Sequence, residues 1–428
     1  MVANTDIKFY VHTNNNAPQL QNAYGSMINV LDACLVNGIN IGGVSSLTAS
    51  GTTITALFSS AHNLMQYQVI KITGAVQPEF NGEHRILTVP NAQSVTFELA
   101  AAPSTTTATG TITASLPPLG WEKPFSSSNP NGGGKAAYRS KNLLLPSRPF
   151  LRVVDELDPA YNIVYAKYAK VGLVEDMTDI NTMLGVQAPF DSVDPDKNWN
   201  ATGVGVSVIN GWAKWYYARS GTLGGANDTS APASGNRNYI VVGTADYFYI
   251  YCGFTPLTTN EATKAANPYG FGVFTRLYED DTSNNFLNAS INNATASSNI
   301  SIGSMVGLSS TNKSNILLNR PIEQNGAYCT AASSIPSSIT IYSGYSNYLS
   351  SAIAKTPLYS ITLDESAIPY GTAVKTVRGN LIGAYMIATP LPLADYQIFK
   401  RGKELFIAKH AVVGQTSPGQ MVLKIGDL

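Results

Sequence analysis

The sequence predicts a mainly β fold: a β-sandwich-type main domain with one N-terminal amphipathic helix, interrupted by a small inserted β-sandwich or barrel. Three observations carry that expectation. Short runs rich in β-branched and aromatic residues recur along the chain. Only Tyr24 to Gly38 shows a clear helical spacing of apolar residues. From about Ile41 the texture changes abruptly to short Thr/Ser/Val runs, and Pro117-Pro118 marks its end. The domains read this way are 1–40 with 117–428 as a discontinuous β-rich main domain, and 41–116 as an inserted small β domain.

Residues 5–12, TDIKFYVH, alternate as a strand that puts Ile7, Phe9 and Val11 on one face. Next comes the helix. Tyr24, Met27, Ile28, Leu31, Cys34 and Leu35 recur at three- and four-residue intervals and share one face, with Asn29, Asp32 and Asn37 between them. Gly38 stands where a left-handed cap is wanted. A helix of roughly fourteen residues is marginal alone, so its apolar stripe must pack on something.

Within the insertion, VSSLTAS, GTTITALFSS, YQVIKITGA, HRILTVP, SVTFELA and TGTITAS read as short strands. Ala49-Ser50-Gly51 and Asn81-Gly82 supply turn chemistry. A self-contained insertion must bring its two ends close together. After it, SSSNPNGGGK reads as a loop. FLRVVDE, NIVYAKYAKVGLV, VGVSVING with WAKWYYARS, NYIVVGTADYFYIYCGF and YGFGVFTRLY then read as strands. Tyr247 to Tyr251 is aromatic or aliphatic at every position and predicts a central strand. Thr282 to Ser314 is rich in Asn, Ser and Ala and predicts loop or edge. SSITIYSGY, PLYSITLD, VRGNLIGAYMIA, YQIFKRGKELFIAK and QMVLKIGDL resume the strand pattern.

Composition bounds the function. In a chain of 428 residues, 27 Lys+Arg balance 27 Asp+Glu, which leaves no electrostatic footprint for nucleic acid or an anionic membrane. Charged residues make 13%, about half the usual share of roughly 25%. Neutral polar groups solvate the surface instead, and the weak colloidal repulsion suits a subunit of an assembly. Cys34, Cys252 and Cys329 are odd in number and widely spaced, so no disulfide framework is expected. The start lacks the basic and apolar regions of a signal peptide, and no apolar run is long enough for a spanning helix.

Catalytic and metal motifs fail on inspection. Gly132-Gly133-Gly134-Lys135 suggests a phosphate loop, but Asn129 stands where the first glycine is needed and Ala136 where Ser or Thr would hold magnesium. His12, His62, His84 and His410 have no nucleophile elbow or HExxH helix around them, and Ser59 and Ser60 near His62 lack an orienting acid. Asp194, Asp196, Asn198 and Asn200 copy the spacing of a calcium loop, yet Trp199 replaces its glycine and Gly205 its final Glu. No cofactor or metal is implied, and an enzyme is not expected. Trp212, Trp215, Tyr216 and Tyr217 form the densest aromatic group. They are candidate interface or glycan-contact residues, while the strand pattern of WAKWYYARS more simply gives a packed face.

Several segments taken together resemble a family of virion structural proteins from tailed bacteriophages and prophages. The pattern APxLxxxxGSxIxxLDAxLVNG matches at Ala17, Pro18, Leu20, Gly25, Ser26, Ile28, Leu31, Asp32, Ala33, Leu35, Val36, Asn37 and Gly38. GWEKPF matches at Gly120 through Phe125, AYRSKN at Ala137 through Asn142, and GTADYFYIYCGF with PYGFGVF extends the likeness to about residue 280. The module, with AHNLMQYQVIKITGA and FNGEHRILTV, looks like small β domains of phage tail proteins. The resemblance implies a place in a virion: a collar or neck subunit forming a symmetric ring of copies at the head-to-tail junction, beside other neck or tail proteins. No nucleic-acid binding and no membrane insertion are expected, from the charge balance and the lack of a long apolar run. The alternative is a tail-tip or baseplate-associated module that recognises a host surface glycan.

Overall fold

The computed structural model describes residues 3–204, 208–220, 229–256, 265–291, 316–334, 357–366, 375–387, 393–412 and 418–428. Among the described residues the strands fall into three sheets, and the fold is mainly β, as expected, with one short α/π-helical segment and a 3-10 turn. The largest sheet has thirteen strands. Its order begins Lys8–Val11, Tyr239–Gly243, Tyr247–Cys252, Asn267–Val273, Asn285–Asn288, Ile316–Leu318 and Cys329–Ser334. It continues Tyr359–Ser366, Lys375–Met386, Pro418–Asp427, Glu404–Val412 and Ile398–Arg401, with Thr275–Arg276 paired on Lys375–Met386. A second sheet runs Ser290–Ile291, Ala213–Ala218, Lys167–Met177, Phe150–Glu156, Gly133–Ser140 and Trp121–Ser128, with Met183–Ala188 branching from Lys167–Met177.

The aromatic run Tyr247–Cys252 is central, as its composition predicts, and its period of two divides two cores. Phe248, Ile250 and Cys252 point into a core shared with Leu151, Val153, Val171, Trp215 and Tyr217 of the second sheet. Tyr247, Tyr249 and Tyr251 point the other way, into a core with Leu363, Ile407 and Leu423 from the far end of their own sheet. The thirteen-stranded sheet therefore curls back on itself. In the first strand Phe9 and Val11 face one core and Tyr10 the other.

The helix is shorter than its apolar stripe suggests: α-helical over Ser26–Leu31, then a wider π turn over Asp32–Asn37 closed by Gly38 N–H on the Ala33 carbonyl at 2.8 Å. Tyr24 lies before it. The start is fixed from outside, because the buried carboxylate of Asp155 accepts the backbone N–H groups of Met27 at 3.0 Å and Ile28 at 3.4 Å. Gly38 ends the helix at φ +78 but with ψ 176, so it is a positive-φ glycine rather than the left-handed helical cap expected, and a Cβ there would lie 2.7 Å from the Leu116 carbonyl oxygen. Cys34 is buried on the packed face, and burial pushes its thiol well up, which makes it inert.

The insertion makes a sheet of its own, ordered Gly82–Arg85, Val69–Thr73, Thr113–Leu116, Ile39–Ser50, Thr53–Phe58, Ser94–Glu98 and Thr88–Asn91. Its first and last strands are neighbours, with Ile39 opposite Leu116, so the two ends meet. Ser50 pairs with Thr53 around Gly51 at φ +63, the expected tight turn. Asn81-Gly82 is not a two-residue hairpin. A 3-10 turn over Pro78–Phe80 precedes it, and the Asn81 amide holds both the N–H and the carbonyl of Ala75.

Apolar packing and polar bonds together fasten the module: Ile41, Leu47 and Ile54 share one core with Leu31, Leu119 and Trp121. The buried guanidinium of Arg85 donates to the carbonyls of Asn4, Ile7 and Ile425, and Gln68 and Asn14 exchange side-chain hydrogen bonds. On the main-domain side the polar partners are largely backbone carbonyls that water can reach once the module is gone, while part of the shared apolar core is uncovered. Replacing 41–116 by a short glycine linker is expected to leave a soluble main domain that melts cooperatively at a lower temperature, as followed by circular dichroism. Insoluble protein would show that the main domain does not fold without the module.

Three expectations are corrected. Residues 126–135 are not a loop, because Trp121–Ser128 and Gly133–Ser140 form an antiparallel hairpin through them. In it Gly133, at φ +75, lets the strand approach where a Cβ would lie 1.9 Å from the Asp155 carbonyl oxygen. The Asn-rich Asn285–Asn288 is an interior strand, paired on both sides, rather than loop or edge. His62 and His84 read from the sequence as turn residues of the insertion; both are buried, and His84 lies in the strand Gly82–Arg85 and stacks on Phe97 at 4.3 Å. The predicted strand at 337–345 and the rest of the Asn/Ser-rich stretch, 292–314, lie outside the described residues.

Among the described residues, the strands at the sheet borders are ill-suited to strand addition. Of the six strands that end the three orders, Lys8–Val11, Ile398–Arg401, Gly82–Arg85 and Ser290–Ile291 have only two to four residues. The other two carry proline: Pro124 in Trp121–Ser128 and Pro90 in Thr88–Asn91. The branch Met183–Ala188 pairs through a register shift.

Candidate functional site

The aromatic group singled out by the sequence is core. Trp215, Tyr216 and Tyr217 are 0%, 1% and 0% exposed on Ala213–Ala218. Trp215 stacks on Tyr269 at 5.7 Å and donates its indole N–H to the Asn288 carbonyl at 2.9 Å. Tyr217 donates its hydroxyl to Asp155 at 2.5 Å. These three are therefore not interface or glycan contacts: both faces of their strand are covered by the chain itself. Trp212 precedes the strand, half-buried, with the Lys197 ammonium 4.9 Å from its ring.

The calcium-like spacing is also accounted for by folding. Asn198 donates from Nδ2 to the Val171 carbonyl at 2.8 Å. Its Oδ1 accepts the backbone N–H groups of Trp212 at 2.9 Å and Ala213 at 2.7 Å. Both lone-pair directions of that oxygen are taken, leaving nothing for a cation. Among the described residues no group of three His, Cys, Asp or Glu side chains stands ready for a metal.

What the second sheet does present is a cleft of about 460 Å³ on the face away from the shared core. Strand alternation builds it. In Phe150–Glu156, Leu151 and Val153 face the core, while Arg152, Val154 and Glu156 face the cleft. The register places Lys135 and Lys170 on either side of Val154. Turn residues close the rim: Asn129 and Asn131, Asp158 and Pro159, Asn181, and Asp196 with Asn200.

Arg152 is the central group and is 4% exposed. Its Nε donates to the Ile180 carbonyl at 2.9 Å, and its guanidinium lies 4.2 Å from the Trp199 ring centre. Trp199 in turn packs against Gly172, where a Cβ would fall 2.6 Å from the ring. The tryptophan is thus a buttress held between backbone and guanidinium. Burial pulls the pKa of Arg152 down to about 10, against the attraction of Asp196 and Glu156, so the group stays charged at neutral pH. Its Nη1 has no hydrogen-bond partner within the protein.

The other charges are spoken for. Lys170 is 3% exposed and donates to the Trp199 carbonyl and, at 3.4 Å, to Asp158. Burial lowers its pKa to about 8, with Asp158 opposing. Asp158 also accepts the N–H groups of Ala160 at 3.1 Å and Ala201 at 2.7 Å. Lys135 lies 3.9 Å from Glu156 and donates to Asn181 at 3.0 Å, so the lysine of the phosphate-loop look-alike serves the cleft wall. Sequence reading missed this site because its members come from separate strands and turns. The one available signal was the alternation of Arg152 and Glu156.

No family model matches the chain, and no curated protein matches it. Among solved structures it is similar to a phage phi92 endosialidase at 9% identity and a TM-score of 0.16, over 91% of this chain and 52% of that one. The chain thus spans about half the length of that protein. A likeness at that level fixes neither fold nor function.

Proposed function

We propose that this chain is a non-catalytic structural subunit of a tailed-phage particle, attached to its tail or neck. The observation that carries the reading is where the matched segments meet. Asp32 accepts the Lys123 ammonium at 2.6 Å and the Tyr138 hydroxyl at 2.7 Å, which ties LDA to GWEKPF and AYRSKN. Glu122 pairs with Arg139 at 2.5 Å, Trp121 donates to the Thr244 carbonyl at 2.9 Å, and Asn142 donates to Asp246 at 2.8 Å. Asp32, Trp121 and Asn142 thus reach partners 91 to 123 residues away, so the matched segments hold one another as parts of one framework. These contacts support a common scaffold and carry no chemistry of their own.

Two placements fit that scaffold. One is the collar ring, in which copies of the chain pack around the head-to-tail junction. The other is a tail-tip module that binds a host surface glycan, and the polar cleft favours this second placement. The test is to locate the chain on purified particles by labelling and electron microscopy, with its native mass measured in parallel. The expected result is label on the tail or neck. Particles that lack the chain would overturn the reading, and release of reducing sugar ends by the purified protein would overturn its non-catalytic part.

A further inference from the structure

We propose that the cleft of the second sheet is a binding site for an uncharged glycan, with Arg152 as its central donor. The inference rests on the glycan-binding reading of the same cleft and adds the ligand class and the residues. The first observation is the unpaired Nη1 of Arg152, a buried cationic donor that nothing in the fold satisfies. Such groups are uncommon, because the unmet hydrogen bond is expensive in a low-dielectric setting. The guanidinium is also immobilised, by the Ile180 carbonyl on its edge and Trp199 on its face, so a ligand meets it without ordering a long side chain.

Charge selects the ligand class. The cleft lining holds three basic side chains, Lys135, Arg152 and Lys170, and three acidic ones, Glu156, Asp158 and Asp196, for a net of zero. Both lysines face an acid, at 3.9 and 3.4 Å, and Asp196 and Glu156 exert the main attraction on Arg152. An incoming carboxylate or phosphate would gain the arginine and be repelled by these two acids at once. Neighbouring sugar hydroxyls gain from both, because they accept from the guanidinium and donate to a carboxylate, and the rim asparagines add amides that do either. The volume of about 460 Å³ lies within the roughly 300–1,000 Å³ of small-ligand sites and suits a short oligosaccharide. Trp199 is buried, with the Arg152 guanidinium over its ring, and acts as a positioning residue behind Arg152, not as a stacking platform.

The test uses the full chain. Tryptophan fluorescence and calorimetry follow its titration with neutral oligosaccharides (glucan, galactan, mannan and rhamnan series) and with acidic ones (polygalacturonate and hyaluronate fragments). At least one neutral series is expected to bind saturably, with an affinity that barely changes with added salt. Arg152→Met and, independently, Asp196→Asn are each expected to weaken binding roughly tenfold or more, as loss of a charge-assisted hydrogen bond does. Asp196 is exposed, so its variant keeps the fold and keeps the test valid if Arg152→Met does not fold. Binding confined to the acidic series, no binding to either series, or binding unchanged in Asp196→Asn would each overturn the inference. A chain found in particles that binds no glycan defeats this inference alone. A glycan-binding chain absent from particles defeats the virion reading alone.

Discussion

Arg378→Met is expected to destabilise the main domain by about 3–5 kcal/mol, the range seen when one partner of a buried ion pair is removed. Arg378 is 0% exposed and grips Asp281 with two hydrogen bonds, each of 2.8 Å. A third N–H group holds Glu365, which is also buried, and the Arg320 carbonyl at 3.0 Å. Burial pulls the guanidinium pKa down, but the hydrogen bonds and charges of Asp281 and Glu365 outweigh it and leave the pKa above its usual value. The substitution strands two carboxylates where water cannot reach them. Adding Asp281→Asn and Glu365→Gln to Arg378→Met should return part of the loss. Denaturant titration reads both variants, and a single-variant loss under about 1 kcal/mol would mean that the cluster is wetter than its burial indicates.

Asp155→Ala is expected to cost about 2–4 kcal/mol at pH 7, since it leaves the Met27 and Ile28 amides without their acceptor and the Tyr217 hydroxyl with only the Ala23 carbonyl at 3.2 Å. The pH dependence gives a second reading. Burial raises the pKa of Asp155 to about 6, only partly offset by the hydrogen bonds from Tyr217 and the helix amides. The ordinary value is about 4, so the folded chain holds this proton more tightly than the unfolded one. The stability this contributes is fully present below about pH 4 and is lost as pH rises through about 6. It amounts to roughly 3 kcal/mol for a shift of about two units. Asp155→Asn keeps one oxygen for the helix amides and never ionises, so its melting temperature should not show that decline. A variant that kept the full wild-type slope between pH 4 and 6 would assign the titration to another group.

The readable parts of this chain were those where one strand declares itself. Tyr247 to Tyr251 is apolar at every position because both of its faces are covered, and that alone places it in mid-sheet. The change of texture at Ile41 falls within Ile39–Ser50, the first strand of the seven-stranded sheet, several of whose strands are short and rich in Thr. What stayed hidden depends on which face a polar residue takes. In FLRVVDE the carboxylate of Asp155 turns inward to start a helix, while Arg152 and Glu156 turn outward to a cleft, and no local pattern tells the three apart. Trp215 to Tyr217 carries aromatics that would suit an exposed platform equally well. The Asn285–Asn288 strand is read as loop because asparagine favours turns. Here its side chains are buried instead, with Asn288 bound to the Pro268 carbonyl at 2.6 Å.

The clipped or proline-bearing strands at the ends of the three sheets bear on how this protein behaves at high concentration. A molecule produced in many copies, each with open backbone ladders, would knit into fibres long before reaching any ordered destination. With the described edges short or interrupted by proline, backbone pairing between copies is disfavoured, and crowding alone does not drive the protein into fibres.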